Sequence, residues 1–332
     1  MLNDKLNIKP ATCNPEPVTC NPEPETTDVV YVLGTGSRWN DNEIRFSLRS
    51  LEKNLMNMGN VFVVGTCPAF LQNVIHIPAA DIFDPAVNAD GNIIEKVLAA
   101  CSDGRVGDNF LFINDDHIIL QPVEAHAVPP FHKGDMTTFD AGFWKLNYWR
   151  TRLKRTMQTL KGAGLTAFNF DCHAPIVFNR HLFVDVMQIF DYKTEPGLTM
   201  KSLYGNMVYA ENGVRLTNEK RTIFRNYKLA EIRTLLQPVQ FMSYNDAGLN
   251  NSLKWWLMET FPTQSCFEKS LPTEILFELY NWQVTGKTWE NGVEIFKNYF
   301  KNPHLRDLFE EGETPVLRKK LEFKLQLTIN QL

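Results

Sequence analysis

The sequence predicts an α/β fold, with a mostly parallel, Rossmann-like sheet and helices on both of its faces. Short apolar runs of four or five residues alternate with longer stretches in which apolar residues recur every third or fourth position. The runs end at glycine, proline or polar turn residues, as strands do. Strands that alternate with helices in this way are typical of parallel sheets. A chain of 332 residues with 44% hydrophobic content can bury a core of that size.

The elements follow in order from Asp28. The first strand is predicted at 29–33, before Gly34, and the next two at 61–64 and 74–77. Between the first two, one helix face is formed by Ile44, Leu48, Leu51, Leu55 and Met58. Asn40 and Glu43 are placed to form a capping box at the start of that helix. A second helix face is formed by Ile93, Ile94, Val97, Leu98 and Cys101, and it leads to a strand at 110–113.

Two terminal segments are predicted to lie outside this α/β domain, which spans 27–268. Residues 1–26 contain the repeat TCNPEP and are rich in Pro, Glu and Asn, so we expect a disordered leader. Residues 269–332 are predicted to form a helical C-terminal extension, in which we identify no chemistry.

Charge and cysteine content limit the function classes. A net charge of −4 gives no global field that would attract nucleic acid or an anionic membrane. No stretch approaches the ~18 apolar residues of a membrane span, and the first residues lack a secretion signal. We therefore expect a cytoplasmic protein without a membrane span.

Four cysteines lie far apart in the sequence, without the spacing of metal ligands. They are Cys67, Cys101, Cys172 and Cys266, and we expect them to be buried thiols.

The apolar strand at 110–113 is followed directly by four polar residues, Asn114, Asp115, Asp116 and His117. Ligands of open α/β sheets bind at the carboxyl ends of the strands. Adjacent carboxylates there repel each other unless a cation lies between them. The run predicts a metal site, although a polar turn or a helix cap would use the same residues.

The loop after the first strand reads Gly34-Thr35-Gly36-Ser37-Arg38-Trp39. Two glycines let the backbone approach a ligand closely, and the following helix start offers N–H groups to phosphate. Trp39 occupies the third glycine position of the dinucleotide fingerprint, which disfavours a nicotinamide dehydrogenase. Arg45 and Arg49 share one helix face and could clamp a diphosphate. A tight turn without a ligand and a solvated helix face are the alternatives.

Asp171 and His173 form a second candidate site. The segment is predicted to be extended, and residues two positions apart in such a segment lie on the same side of the chain. Asp171 could deprotonate an acceptor hydroxyl, and His173 could coordinate an ion or orient the nucleophile. A loop Asp and a satisfied core His are the alternative. Asn245-Asp246 is a further candidate for the metal or acceptor shell, or for a helix cap.

Residues 145–155 contain five basic residues, no acidic ones, and the aromatic pair Tyr148 and Trp149. An anionic acceptor could bind there, because aromatic rings beside phosphate-binding cations suit stacking on flipped or single-stranded bases. Sugar rings stack on tryptophan equally well. The alternative is an amphipathic helix with a solvated basic side.

Several motifs together resemble one family. They are DVVYVLGTGSRWNDNEIRFSLRSLEKN, ADIFDP, FLFINDDHIIL, FDCHAPIVFNRHLF and FMSYNDAGLNN with FPTQSCFE. In this order, over residues 28–268, the chain resembles the Stealth-type sugar-phosphate transferases. These include bacterial capsular polysaccharide phosphotransferases and the catalytic subunit of lysosomal-enzyme N-acetylglucosamine phosphotransferase. The chain is also similar to glycosyltransferases that share their nucleotide-binding core, the GT-A fold.

The resemblance implies a metal-dependent transferase with a GT-A-like fold. Gly34 to Arg38 and Arg45 would hold the nucleotide, Lys96 would reach a phosphate, and Asp115 and Asp116 would contact the ribose and the metal. We add Asn114 to the nucleotide site and Asp246 to the metal site. The cofactor would be Mn²⁺ or Mg²⁺, and the donor a UDP-sugar.

The first motif departs from the family, because Stealth proteins usually carry a WVDGS-like run where this chain has Leu33 to Ser37. This favours glycosyl transfer to a hydroxyl, with a glycan or a hydroxymethylated DNA base, as in phage DNA modification, as the acceptor. Two alternatives stay open. One is a sugar-1-phosphate transferase in polysaccharide synthesis, and the other is a catalytically inactive sugar-nucleotide or glycan-binding module.

Overall fold

The computed structural model describes residues 26–39, 41–145, 148–261 and 263–269. The predictions made for residues 1–25 and 270–332, and for Asn40 in a capping box, lie outside these residues. None of the described helices is long and apolar enough to cross a membrane.

Twelve strands and seven α-helices make up the described part of the chain. The strands are β1 (Thr27–Leu33), β2 (Leu55–Met56), β3 (Met58–Gly65), β4 (Ile75–Ile77), β5 (Asn109–Ile113), β6 (His117–Ile119), β7 (Val123–Glu124), β8 (Phe131–His132), β9 (Ile176–Asn179), β10 (Val214–Arg215), β11 (Lys220–Ile223) and β12 (Phe241–Tyr244). The helices are α1 (Asn42–Asn54), α2 (Pro85–Ser102), α3 (Tyr148–Gly162), α4 (Arg180–Ile189), α5 (Met200–Val208), α6 (Leu229–Leu235) and α7 (Asn251–Thr260).

The central sheet has the strand order β4-β3-β1-β5-β9. The pairs β4–β3, β3–β1 and β1–β5 are parallel, and β9 is antiparallel to β5. The predicted α/β class with a mostly parallel sheet and flanking helices is therefore confirmed. From β1 the chain builds the sheet first toward β3 and β4, and then on the other side with β5. This reversal opens a crevice at the carboxyl ends of β1 and β5, where open α/β sheets bind ligands.

Alternating side chains of the strands form two hydrophobic cores, one on each face of the sheet. On one face Val29, Tyr31 and Leu33 pack with the apolar stripe of α1. On the other face Val30 packs with Ile94 and further residues of α2. The period of two in β1 places its neighbouring residues on opposite faces. A third core lies between α6, α7 and the smaller sheet β11-β12-β6.

Helix α1 is shorter than its apolar pattern predicts. It ends at Asn54, and Leu55 turns extended (φ −97°, ψ 114°) to begin β2. Leu55 pairs with Val123, and Met58 begins β3, so their assignment to the helix face is wrong. Both residues continue the helical spacing by chance, since strand pairing with distant residues decides their conformation.

Two of the four described cysteines, Cys101 and Cys172, are buried as predicted, and Cys67 is half-buried. Cys266 is exposed, which corrects the expectation of a buried thiol there. All four are free thiols.

Candidate functional site

A cavity of about 670 Å³ lies at the crevice that the strand order creates. The loop after β1, the start of α1, the turn after β5 and the segment after β12 form its wall. Its lining residues are Val32, Gly34, Gly36, Ser37, Asp41, Glu43, Asp115, Asp116, His173, Tyr244, Asn245, Asp246, Ala247 and Leu249.

The turn from β5 into β6 presents the two neighbouring aspartates to this cavity. The N–H of His117 donates to the carbonyl of Asn114 (3.1 Å) and closes the turn. Ser47 Oγ on α1 donates to the carbonyl of His117 (2.6 Å), which fastens the turn to the helix. Asp115 and Asp116 therefore stand at the end of a buried strand, where the sequence predicts them.

Asp116, His117 and His173 form a cluster whose potential ligand atoms all lie within 4.8 Å of one another. Asp116 Oδ1 is 3.6 Å from His117 Nε2, and Asp116 Oδ2 is 3.8 Å from His173 Nδ1. Asp116 Oδ1 and His117 Nε2 are buried, and neither has a hydrogen-bond partner in the described part of the chain. Leaving such atoms unsatisfied costs free energy. A divalent cation would satisfy both, so these residues fit a metal ion.

Burial and neighbouring charges shift the pKa values of three residues at this cavity. Burial, and then repulsion from Asp116 and Glu43, raise the pKa of Asp115. Burial also raises the pKa of Glu43. Burial, and then the nearby Lys201 and His173, lower the pKa of His117 well below its usual value. His117 is therefore neutral at physiological pH, which is the form that coordinates metals.

His173 links this cavity to a second one. Its backbone is left-handed (φ 51°), a conformation that is uncommon outside glycine and is found at functional sites. The chain bends at 172–174, so the predicted extended segment is wrong. Asp171 and His173 nevertheless line one cavity of about 180 Å³, together with Asn114. Ser202 Oγ donates to Asp171 Oδ2 and fixes that carboxylate.

The glycine loop contributes Gly34, Gly36 and Ser37 to the larger cavity. Ser37 Oγ donates to Glu43 (2.8 Å) and accepts the N–H of Asp41 (2.8 Å), so the loop and the start of α1 hold each other in place. Thr35 belongs to the same loop but does not line the cavity.

Asp246 lies in the same cavity but outside the cluster of Asp116, His117 and His173. It pairs with Arg38 (3.1 Å), and both side chains are exposed. Its predicted role as a metal ligand is therefore not supported by the geometry. The predicted helix cap at 245–246 is wrong, since Asn245 accepts the N–H of Gly248 in a turn and Asn250 caps α7.

The diphosphate clamp predicted for Arg45 and Arg49 does not fit this structure. Both side chains are buried and pair with Glu268, with Arg49 Nε 2.7 Å from its Oε1. Arg45 also lies over the ring of Phe70, 3.8 Å from its centroid. Because α1 turns this face toward 263–269, the alternative of a solvated face is wrong as well.

Lys96 is buried behind the glycine loop. Its ammonium donates to the carbonyl of Leu33 (2.9 Å) and pairs with Asp81 (2.6 Å). It therefore supports the carboxyl end of β1, and a role at a phosphate would require it to leave these partners.

The basic segment 145–155 is largely the amphipathic helix α3. Arg152 is turned inward and pairs with Asp90 of α2 (2.5 Å). Arg155 pairs with Asp191 (3.6 Å), and Arg150 donates to the carbonyl of Lys145 (2.9 Å). Three of its cations thus have protein partners, and the geometry gives no support to a nucleic-acid surface here.

Three residues of the site are not predicted as functional side chains by the sequence. His117 stands there as the end of the polar run, and in the structure its imidazole completes the cluster with Asp116. Asp41 and Glu43 line the cavity, whereas the sequence predicts Glu43 only as a cap. The position of His117, a polar residue right after a strand end, is the signal that points to it.

Comparisons with known proteins by sequence find no relative. No protein-family model matches the chain, and no curated protein matches it in sequence. Membership of the Stealth-type family therefore stays a prediction.

Among solved structures, the chain is similar to the galactosyltransferase LgtC in complex with donor and acceptor sugar analogs. Sequence identity is 12% and the TM-score is 0.41, with 76% of this chain and all (100%) of that chain covered. The bifunctional glycosyltransferase WbbM matches at 12% identity and a TM-score of 0.38, over 72% of this chain and 50% of that chain. The glycosyltransferase GlyE of Streptococcus pneumoniae matches at 15% identity and a TM-score of 0.32, over 78% and 64% of the two chains. At these scores the likeness does not establish a shared function.

Proposed function

We propose that the chain is a glycosyltransferase that uses a nucleotide-sugar donor and a divalent metal. One observation carries the proposal. At the crevice of a parallel sheet, Asp116 Oδ1 and His117 Nε2 are buried 3.6 Å apart without hydrogen-bond partners in the described chain. They lie beside a cavity lined by further carboxylates.

The larger cavity suits a nucleotide. Its volume of about 670 Å³ falls in the range of small-molecule sites, which is roughly 300–1,000 Å³. Four acidic side chains, Asp41, Glu43, Asp115 and Asp116, line it, and the raised pKa values of Asp115 and Glu43 show that further negative charge is disfavoured there. A diphosphate is therefore expected to bind only with a cation. A divalent ion held by Asp116, His117 and His173 would supply charge neutralisation for the departing nucleoside diphosphate.

In this proposal, a residue of the smaller cavity, of about 180 Å³, would receive the proton of the acceptor. Transfer forms a bond from an acceptor hydroxyl oxygen to the anomeric carbon and breaks the bond from that carbon to the diphosphate, which leaves with the electron pair. Asp171 would take the hydroxyl proton, because Ser202 holds its Oδ2 and leaves its other oxygen for the substrate. His173 borders both cavities and would orient the reacting groups.

Thermal unfolding with nucleoside diphosphates, with and without Mn²⁺, tests this proposal. UDP and Mn²⁺ together are expected to stabilise the protein by about 2.7 kcal/mol when UDP is near 100 times its dissociation constant. The transition should rise by several degrees, whereas UDP after removal of metal should give little shift. An absence of any shift with every nucleoside diphosphate and metal tested would overturn the proposal. Release of nucleoside monophosphate during turnover would instead identify a sugar-phosphate transferase.

A further inference from the structure

The smaller cavity, of about 180 Å³, carries an ion pair that the reaction chemistry does not use. Asp90 on α2 and Arg152 on α3 both line it, and their side chains are 15% and 9% exposed. Arg152 Nε lies 2.5 Å from Asp90 Oδ2. Burial raises the pKa of Asp90 to about 6, although the nearby Arg152 opposes that rise. Both side chains keep a part of their surface exposed at the cavity wall, where a ligand in the cavity would contact them.

The fold places Asp90 at this wall through a break in α2. Asn88 is non-helical (φ −133°, ψ 63°), and its side chain is buried. Its amide donates to the carbonyl of Tyr192 (3.0 Å) and accepts the N–H of Gly91 (2.9 Å). At Gly197 (φ 84°) a Cβ would come within 1.9 Å of the Asn88 side chain, so a larger residue there would displace it. Contacts with Tyr192, Gly91 and Gly197 thus fix Asn88 at the break, and Asp90, two residues later, pairs with Arg152.

The size of the cavity limits its ligand. About 180 Å³ is less than the roughly 300–1,000 Å³ of typical small-molecule sites. The cavity therefore suits a single sugar ring and is too small for a whole nucleotide. Trp149, one turn before Arg152 on α3, adds an aromatic surface of the kind that sugar rings stack on.

The charge of the cavity limits its ligand further. Its wall carries two carboxylates, Asp90 and Asp171, and two cations, Arg152 and Lys201. The formal charges cancel, and Arg152 already has a counter-ion. The ammonium of Lys201 is buried and donates to the carbonyl of Ala174 (2.7 Å). A sugar that carries a carboxylate or a phosphate would meet two carboxylates, and both cations are already engaged, Arg152 by Asp90 and Lys201 by a backbone carbonyl. Hydroxyl groups could instead donate to Asp90 and accept from Arg152.

We propose that the Asp90–Arg152 pair determines sugar specificity, and that the smaller cavity binds one uncharged sugar ring through its hydroxyl groups. The inference rests on the proposed function, because the cavity meets the metal cluster at His173 and shares Asp171 with the transfer chemistry. The ring would belong either to the donor or to the acceptor, since both present the same hydroxyl chemistry.

Titration calorimetry with Mn²⁺ separates these sources. We would measure the dissociation constants of UDP, of UDP-glucose, UDP-galactose and UDP-N-acetylglucosamine, and of the charged UDP-glucuronate. In the wild type one uncharged UDP-sugar should bind more tightly than UDP, and UDP-glucuronate should not. Asp90→Asn should weaken binding of that UDP-sugar by about 10-fold or more, as the loss of a hydrogen bond to a charged group does. Its affinity for UDP should stay within about two-fold of wild type.

Asp191→Asn is the matched control. Asp191 pairs with Arg155, which lies on α3 as Arg152 does, but Asp191 is 64% exposed and lies outside the cavity. Trp149→Leu gives a second variant in case Asp90→Asn fails to fold, since Trp149 is only half-buried. If these variants leave UDP-sugar affinity unchanged and instead weaken binding of free glucose, galactose or N-acetylglucosamine, measured with UDP and Mn²⁺ present, the ring belongs to the acceptor. If UDP binds with Mn²⁺ but neither variant alters the affinity for any UDP-sugar or free sugar, or if UDP-glucuronate binds best, the inference is wrong and the proposed function stands. If UDP does not bind at all, the inference and the proposed function both fail.

Discussion

Replacing Asp116 with alanine is expected to lower transferase turnover by about three orders of magnitude and to abolish the stabilisation by UDP with Mn²⁺. One oxygen of Asp116 lies 3.6 Å from His117 Nε2 and the other lies 3.8 Å from His173 Nδ1, so the variant removes the carboxylate that stands between the two imidazoles. Electrostatic stabilisation of a leaving group by a metal is worth several kcal/mol, and each ~1.4 kcal/mol is about tenfold in rate.

The same variant should not destabilise the protein in the absence of metal. Asp116 Oδ1 is a buried atom without a hydrogen-bond partner in the described chain, and its removal relieves an unsatisfied group. We expect the unfolding temperature without metal to equal or exceed that of wild type. Unfolding scans with and without UDP and Mn²⁺ check this, and turnover assays give the rate.

Asp246→Ala is the matched control for Asp116→Ala. Asp246 is an aspartate of the same cavity, but it pairs with Arg38 and lies outside the cluster. Its turnover should stay within about tenfold of wild type. Equal losses in the two variants would show that the cavity needs negative charge in general, and that the cluster of Asp116, His117 and His173 has no special role.

The features of the site that the sequence predicts are those with local causes. Strand β5 is an apolar run, and the polar residues that follow it must stand at the edge of the sheet, which is where Asp115 and Asp116 lie. The two glycines after β1 likewise predict a loop close to a ligand, and Gly34 and Gly36 line the cavity.

The features that the sequence does not predict depend on residues far apart in the chain. Arg45 and Arg49 look like exposed cations on a helix, because spacing on α1 says nothing about Glu268, more than 200 residues later. Arg152 similarly belongs to a basic segment in the sequence, while in the structure Asp90 neutralises it. In both cases burial against a distant carboxylate, rather than local pattern, decides what the cation does.

Replacing Glu268 with glutamine is expected to cost about 3–5 kcal/mol of unfolding free energy, because two buried guanidinium groups lose their counter-charge. The side chains of Arg45, Arg49 and Glu268 are 0%, 1% and 0% exposed. Ser265 adds two hydrogen bonds to Glu268 Oε1, from its N–H (2.9 Å) and from its Oγ (3.0 Å). At roughly 2 °C per kcal/mol for a domain of this size, the unfolding temperature should fall by about 6–10 °C.

The control for Glu268→Gln is Glu259→Gln, whose partner Arg233 lies 2.7 Å away while both side chains are about 40% exposed (42% and 39%). An exposed pair of this kind contributes about 0–1 kcal/mol, so its loss should shift the transition little. A similar shift in both variants would contradict a role for burial.

Acidification supplies an independent check on the Glu268 pair. Burial alone would raise the pKa of Glu268, but Arg49 and Arg45 override it and hold the pKa below its usual value. A carboxylate with a lowered folded-state pKa stabilises the native state fully above its unfolded pKa of about 4.3, and that contribution is lost as pH falls through the folded pKa. The difference in unfolding free energy between wild type and Glu268→Gln, measured by denaturant titration, should therefore be constant from about pH 5 to 7 and shrink below about pH 4. A difference that persists unchanged into that acid range would mean that the carboxylate charge does not hold α1 to residues 263–269, and that hydrogen bonding and packing do.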